Sequence, residues 1–367
     1  MITNNNKRLL ALDILRGLTI IFMIIVNTPG SWSHVYAPLL HADWNGITPT
    51  DYIFPTFLFI VGVSIVLSFT KQIEMGKSRS DMTKRIFIRA LKIYAVGIFL
   101  WLWPSFNFDS IRWVGVLHRI AFVFLICAIL FLYTSKRIQI YSGIALLLFY
   151  WIVMVYVPVP GIGAPDLSIP EKNWAHYIDS MLLPGKLWED TWDPEGILST
   201  LPSVATGIMG MISGYILLGK EELTYKINKI FFVGFILIFL GDIVQWFFPL
   251  NKNLWSSSFS LLMGGISSFA LAASLFIFDL RKIKYRFKFA EAFGVNSILA
   301  YSLSSILTVI FYSSELWGIA FNQEFIKFWG NIGLPLKLGS LVYAIMYVVV
   351  LWIPCNYLYK KKIFIKL

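Results

Sequence analysis

The stretch HADWNGITPTDYIFPTFLFIVG, residues 41–62, sets His41, Asp43, Trp44, Asn45 and Asp51 directly ahead of an apolar run. An imidazole, two carboxylates and an amide so close to a lipid-soluble segment are costly unless they bind or react. A neutral imidazole can take a proton from an amine or hydroxyl. It can also accept an acyl group covalently. Asp51 is placed to orient the second ring nitrogen of His41.

Other polar residues stand where apolar ones are expected. Asp13 and Arg16 are three apart in LDILRGLTIIFMIIVN and can pair across a helical turn, as a structural ion pair or as an anion contact. Arg119 follows His118 in WVGVLHRIAFVF, about a third of the way into its apolar run. That depth favours a cavity-facing guanidinium, with His118 as packing residue or ligand contact. Asn27, Asp242, Gln245 and Asn296 lie near or inside further runs, where such groups often bridge helices. DPEGILSTLPS, residues 193–203, leads into a helix with Asp193 and Glu195, which suits either capping or sugar binding. FFPLNKNLWSSSFSL, residues 247–261, offers Asn251, Lys252 and Trp255, either an interfacial anchor or a sugar-binding rim. No His/Asp/Glu set has metal-ligand spacing, so no metal is expected.

These residues must be carried by membrane helices. Only 14% of the residues are charged and 57% are apolar, against about 25% charged in a soluble domain. Runs long enough to span a bilayer fall at 9–28, 52–70, 84–102, 112–133, 138–157, 197–218, 227–248, 256–278, 290–311 and 337–359. A further short or re-entrant segment fits 313–335. The expected architecture is all-α: a single polytopic domain over 1–367, with about 10–11 transmembrane helices.

Most of the 31 basic residues fall in alternate loops, including Lys7, Arg8, Lys71, Lys77, Arg79, Lys136, Arg137, Arg281, Lys282, Lys284, Arg286, Lys360 and Lys366. The opposite loops hold Arg112, Lys172, Lys186, Lys252, Lys327 and Lys337. The positive-inside rule then puts both termini in the cytoplasm and His41 outside. The net charge of +11 is accounted for by this topology and offers nothing for nucleic acid. Loop 158–196 also faces outward; its NWAHYIDSMLL can form a short amphipathic helix. Cys127 and Cys355 fall in apolar runs and suggest no disulfide. Lys7 and Arg8 precede an apolar run without a cleavage site, which predicts an uncleaved first helix.

LDILRGLTIIFMIIVN, HADWNGITPTDYIFPTFLFIVGVSI, GVLHRIA, DPEGIL, FPLNKNLWSSSF and GVNSILAY resemble, in order, segments of the heparan-α-glucosaminide N-acetyltransferase family, its bacterial NagX-type members above all. The resemblance covers nearly the whole chain. It implies a transmembrane acetyltransferase that takes acetyl-CoA from the cytoplasm and acetylates a glucosamine amino group on the far side. The family's active-site histidine falls on His41, the following aspartate on Asp51, its first-helix asparagine on Asn27 and its fourth-helix arginine on Arg119. Lysosomal members carry a lumenal domain before the first helix; about eight residues precede it here, so that domain is not expected.

The LDxLRG start is shared with membrane O-acyltransferases. Those place a histidine eleven residues after the arginine, where this chain has Asn27. Within the resemblance, Asn27 donates to the thioester oxyanion, and Arg16, Arg119 and His118 contact CoA. Asp43, Trp44, Asn45, Asp193, Glu195, Asn251, Lys252, Trp255 and Asn296 bind the acceptor. The alternatives are an amino-sugar or peptidoglycan-fragment transporter and a surface-glycan O-acyltransferase. An Ile-, Lys- and Asn-rich composition predicts a bacterial cytoplasmic membrane, and the family suggests a homodimer.

Overall fold

Why the apolar runs become helices is plain in lipid, where every backbone N–H and C=O needs a partner within its own segment. A computed structural model describes residues 9–283, 287–314 and 318–365. Lys7, Arg8, Lys284, Arg286 and Lys366, part of the charge pattern above, lie outside the described residues. The helices are α1 (Leu10–Asn27), α2 (Ile53–Glu74), α3 (Arg79–Leu102), α4 (Val116–Tyr133), α5 (Lys136–Tyr156), α6 (Trp174–Leu182) and α7 (Thr200–Leu218). They continue with α8 (Leu223–Val244), α9 (Ser257–Ser274), α10 (Lys288–Val295), α11 (Ser297–Tyr312), α12 (Phe321–Asn331) and α13 (Leu336–Lys360). Side chains of Ser78, Ser135 and Asn173 accept the first backbone N–H groups of α3, α5 and α6. The described residues contain isolated bridges and no strand.

Eight helices among the described residues are long and apolar enough to cross a membrane, nine if a bent pair counts as one span. Two expectations change. The segment 84–102 lies in α3, whose Arg79, Lys84, Arg85, Arg89 and Lys92 leave too little apolar length. The segment 290–311 is not continuous: α10 and α11 meet at 88°. Asn296 occupies that break and is not helix interior.

The chain forms two compact units: Met1–Ala37, Glu221–Phe231 and Phe269–Lys366 in one, Pro38–Lys220 and Phe232–Ser268 in the other. In the first, α1 crosses α10 so closely that a Cβ on Gly17 would collide with the Ala290 carbonyl, and one on Gly294 with that of Asp13. In the second, α2 lies along α7, where a Cβ on Gly62 would strike the Gly207 carbonyl. Small residues at such crossings let backbones approach. α4 and α5 pack on the same α7. The end of this second unit is held by a buried cluster of Tyr150, Met154, Ala175, Leu198, Phe248 and Leu254. That cluster joins α5, α6 and two loops, and thereby sets the loops that carry the polar residues.

Candidate active site

Asp51 sits in a 3-10 turn, Pro49–Tyr52, at the start of α2. Its Oδ2 accepts the backbone N–H groups of Thr48 (2.8 Å) and Ala42 (3.2 Å). Its Oδ1 lies 2.6 Å from His41 Nδ1. The Asp51 side chain is wholly buried, whereas that of His41 is 45% exposed. A carboxylate accepting at Nδ1 assigns the imidazole proton there and leaves the Nε2 lone pair free. The arrangement is a fixed, inward anchor with an accessible nitrogen, suited to proton transfer or acyl attack.

The His41 loop is tied to its neighbours. Gly46 N–H donates to Leu250 O (2.8 Å), and Asn251 Nδ2 donates to Asn45 Oδ1 (3.2 Å). Trp44 Nε1 donates to Leu167 O (2.7 Å), and its ring meets Trp192 edge-on at 5.1 Å. Asn251 is buried and also accepts Leu254 N–H, so its first duty is loop closure. Asp43 is exposed.

Asp193 and Glu195 neither cap α7 nor form a free rim. Arg112 donates from Nε and Nη2 to both Asp193 oxygens and from Nη2 to Glu195, each at 2.6 Å, and its guanidinium covers the Trp188 ring at 4.9 Å. Burial alone lowers the Arg112 pKa, but Asp193 and Glu195 outweigh it and raise it. Burial likewise raises Glu195, yet Arg112 and Lys252 hold it below the usual carboxylate range. Burial lowers Lys252, opposed by Glu195 and Asp51. Lys252 is therefore the charge shared between the Asp51 end and the Arg112 cluster. Arg112 was legible only as an outer-loop cation; its partners are 81 and 83 residues away in sequence.

Arg119, near the start of α4, is 1% exposed. Nη2 donates to Gly196 O (3.2 Å) and to Ser199 Oγ. The guanidinium lies over the Trp255 ring at 5.0 Å. Nε and Nη1 are buried and have no partner among the described residues. Trp255 is fully buried, which removes it from both the rim and the interfacial-anchor readings: it is the floor beneath Arg119. His118 packs against Tyr94 at 4.4 Å, in helix contact.

Arg16, Asn27 and Asn296 belong to the first unit. Arg16 Nη1 donates to Asp13 Oδ1 (3.3 Å), the expected pair, and also to Gly294 O (3.2 Å) near the end of α10, where a cation suits the helix dipole. Asn27 is exposed and closes α1. Asn296 donates to Ile363 O (3.1 Å) and accepts Ile365 N–H (2.9 Å). Its amide is thus occupied on both sides by the chain after α13.

Asp179 was not singled out in the sequence. It lies on α6, is 1% exposed, and accepts Ile197 N–H at 2.8 Å. Burial, aided by Asp193, pushes its pKa up to about 7 against the opposing Ile197 N–H and Arg119. Only its place on the short amphipathic helix, facing inward beside Ala175, pointed to it.

The fold and this site define a multi-pass helical membrane protein carrying a carboxylate-anchored histidine at a helix entrance. The chain belongs to a particular family: residues 8–243 match the model of the heparan-alpha-glucosaminide N-acetyltransferase catalytic domain. It is 28% identical to heparan-alpha-glucosaminide N-acetyltransferase of Mus musculus over 419 aligned positions, covering 98% of this chain and 61% of that protein. It is 30% identical to the Homo sapiens enzyme over 352 positions, covering 80% of this chain and 52% of that protein. The chain thus spans little more than half the length of these relatives.

Proposed function

We propose that this protein is a transmembrane N-acetyltransferase that uses acetyl-CoA from the cytoplasm to acetylate the amino group of glucosamine or a terminal glucosaminide outside, in a bacterial cytoplasmic membrane. The observation that carries this is the His41–Asp51 pair, with its 2.6 Å contact and its exposed imidazole. The acceptor amine attacks the thioester carbon: a C–N bond forms, the C–S bond breaks, and CoA leaves as thiolate. His41 Nε2 takes the amine proton and returns it to the thiolate. Asp51 holds the ring and balances its charge. Arg119, with two donors free, receives an oxygen of the acyl donor. Asp43, Trp44 and Asn45, on the His41 loop, contact the sugar, with Lys252 beside them.

The test is to incubate purified protein with acetyl-CoA and glucosamine, wild type beside His41→Ala, and to follow free CoA and N-acetylglucosamine by mass spectrometry. Product from wild type alone supports the proposal. No product from either, with no CoA binding, overturns it. Stoichiometric CoA release before acceptor is added marks an acetyl-His41 intermediate in place of direct transfer. The break between α10 and α11 favours one second reading, an amino-sugar transporter, since broken helices line transport sites. Radiolabelled glucosamine uptake into vesicles without acetyl-CoA separates it.

A further inference from the structure

One peptide group lies between two buried charges. The Gly196 carbonyl accepts from Arg119 Nη2 at 3.2 Å, and the N–H of the same peptide, on Ile197, donates to Asp179 Oδ1 at 2.8 Å. Thr200 Oγ1 (2.9 Å) and Ser199 Oγ (3.2 Å) also donate to that carbonyl. Gly196 is buried, and a Cβ there would collide with the Asp179 carboxylate, so only glycine lets the peptide approach the acid this closely. A cation on the oxygen and an anion on the N–H polarise a peptide in the same sense, and each bond strengthens the other.

We infer that Asp179, on the helix of the long loop 158–196, is a positioning residue that acts on Arg119 through the Gly196–Ile197 peptide. This rests on the proposed contact of Arg119 with the acyl donor. Among the described residues Arg119 hydrogen-bonds through Nη2 alone; its orientation over Trp255 decides where Nε and Nη1 point. Asp179 fixes the peptide that fixes Nη2. The charged and titratable groups facing Asp179 are Arg119 from α4, Asp193 from the loop and Tyr150 from α5. None of these makes a direct hydrogen bond to it among the bonds described, so the peptide is the contact.

The test is a double-mutant cycle on the purified full chain, with Asp179→Asn, Arg119→Lys and both together, measured against acetyl-CoA at saturating glucosamine and the reverse. At pH 8, where Asp179 is ionised, Asn keeps an acceptor for Ile197 N–H and removes the charge. The expected result is a roughly tenfold fall in kcat/KM for acetyl-CoA in Asp179→Asn, an unchanged KM for glucosamine, and a double variant no slower than Arg119→Lys alone. A merely structural Asp179 would lower folded yield without this split. Full activity of Asp179→Asn, or losses that multiply in the double variant, overturns the inference alone. Wild-type kinetics in Arg119→Lys overturns the Arg119 contact, and the inference with it. Should Asn give no folded protein, Asp179→Ser, which also keeps an acceptor without the charge, is read in the same way.

Discussion

His41 Nδ1 lies 2.6 Å from Asp51 Oδ1, while Asp51 is held from behind by the N–H groups of Thr48 and Ala42. The orienting carboxylate is thus itself oriented, and the exposed imidazole cannot turn without breaking that bond. Replacing His41 by Ala removes the proposed base; product formation is expected to fall about 10²–10⁴-fold with the melting temperature little changed, because the ring is half in solvent. Mass-spectrometric product assay beside a thermal melt checks it.

Asp51→Asn keeps the shape and loses the charge. The amide can present N–H to Nδ1, turning the ring to the tautomer whose Nε2 carries the proton. Turnover is expected to drop at least tenfold at unchanged CoA binding, read by steady-state kinetics beside calorimetric titration with CoA.

Arg112 neutralises Asp193 and Glu195 within a buried cluster. Arg112→Met would leave two buried carboxylates uncompensated, at a cost of about 3–5 kcal/mol, seen as a large fall in melting temperature. Adding Asp193→Asn and Glu195→Gln should restore much of it. Glu195 is held below the usual carboxylate range, so its contribution is present above the unfolded value and is lost as pH falls through the lower folded value. Melting curves of wild type should decline on that acid side.

Asp179 has the opposite sign. Burial pushes it up to about 7 from 3.8, so between those values the folded protein binds the proton more tightly than the unfolded chain. Stability therefore falls as pH rises through this window, by at most about 1.4 kcal/mol per pH unit. Asp179→Asn does not titrate. It is expected to melt above wild type at pH 8, with the difference closing toward pH 4; scanning fluorimetry across that range measures it. A more stable but slower variant would fit a positioning role.

The crossing of α4 on α7 leaves no room at Gly207, where Cys127 Sγ would meet a Cβ at 2.8 Å and Val123 Cγ1 at 2.9 Å. Gly207→Val is expected to cost about 1–3 kcal/mol or more and to reduce folded yield, checked by size-exclusion chromatography in detergent.

The apolar runs, the charge alternation, α6, the Asp13–Arg16 pair and the proximity of His41 to Asp51 were legible because each depends on neighbours within about ten residues. Helical period, capping and lipid solubility act at that range. The fate of Trp255, Asp193, Glu195 and Asn296 was not, since each has its decisive partner far along the chain: Arg119, Arg112 and the segment after α13. Asn296 shows the limit well: its amide reads as polar helix interior, while the 88° bend that employs it comes from packing. The sequence by itself determined a helical membrane protein with a histidine–carboxylate pair at a helix entrance. Only the tertiary structure decided which buried cation keeps two nitrogens without a hydrogen-bond partner among the described residues, because satisfying a charge in a low-dielectric interior depends on which distant groups the packing brings within hydrogen-bond reach.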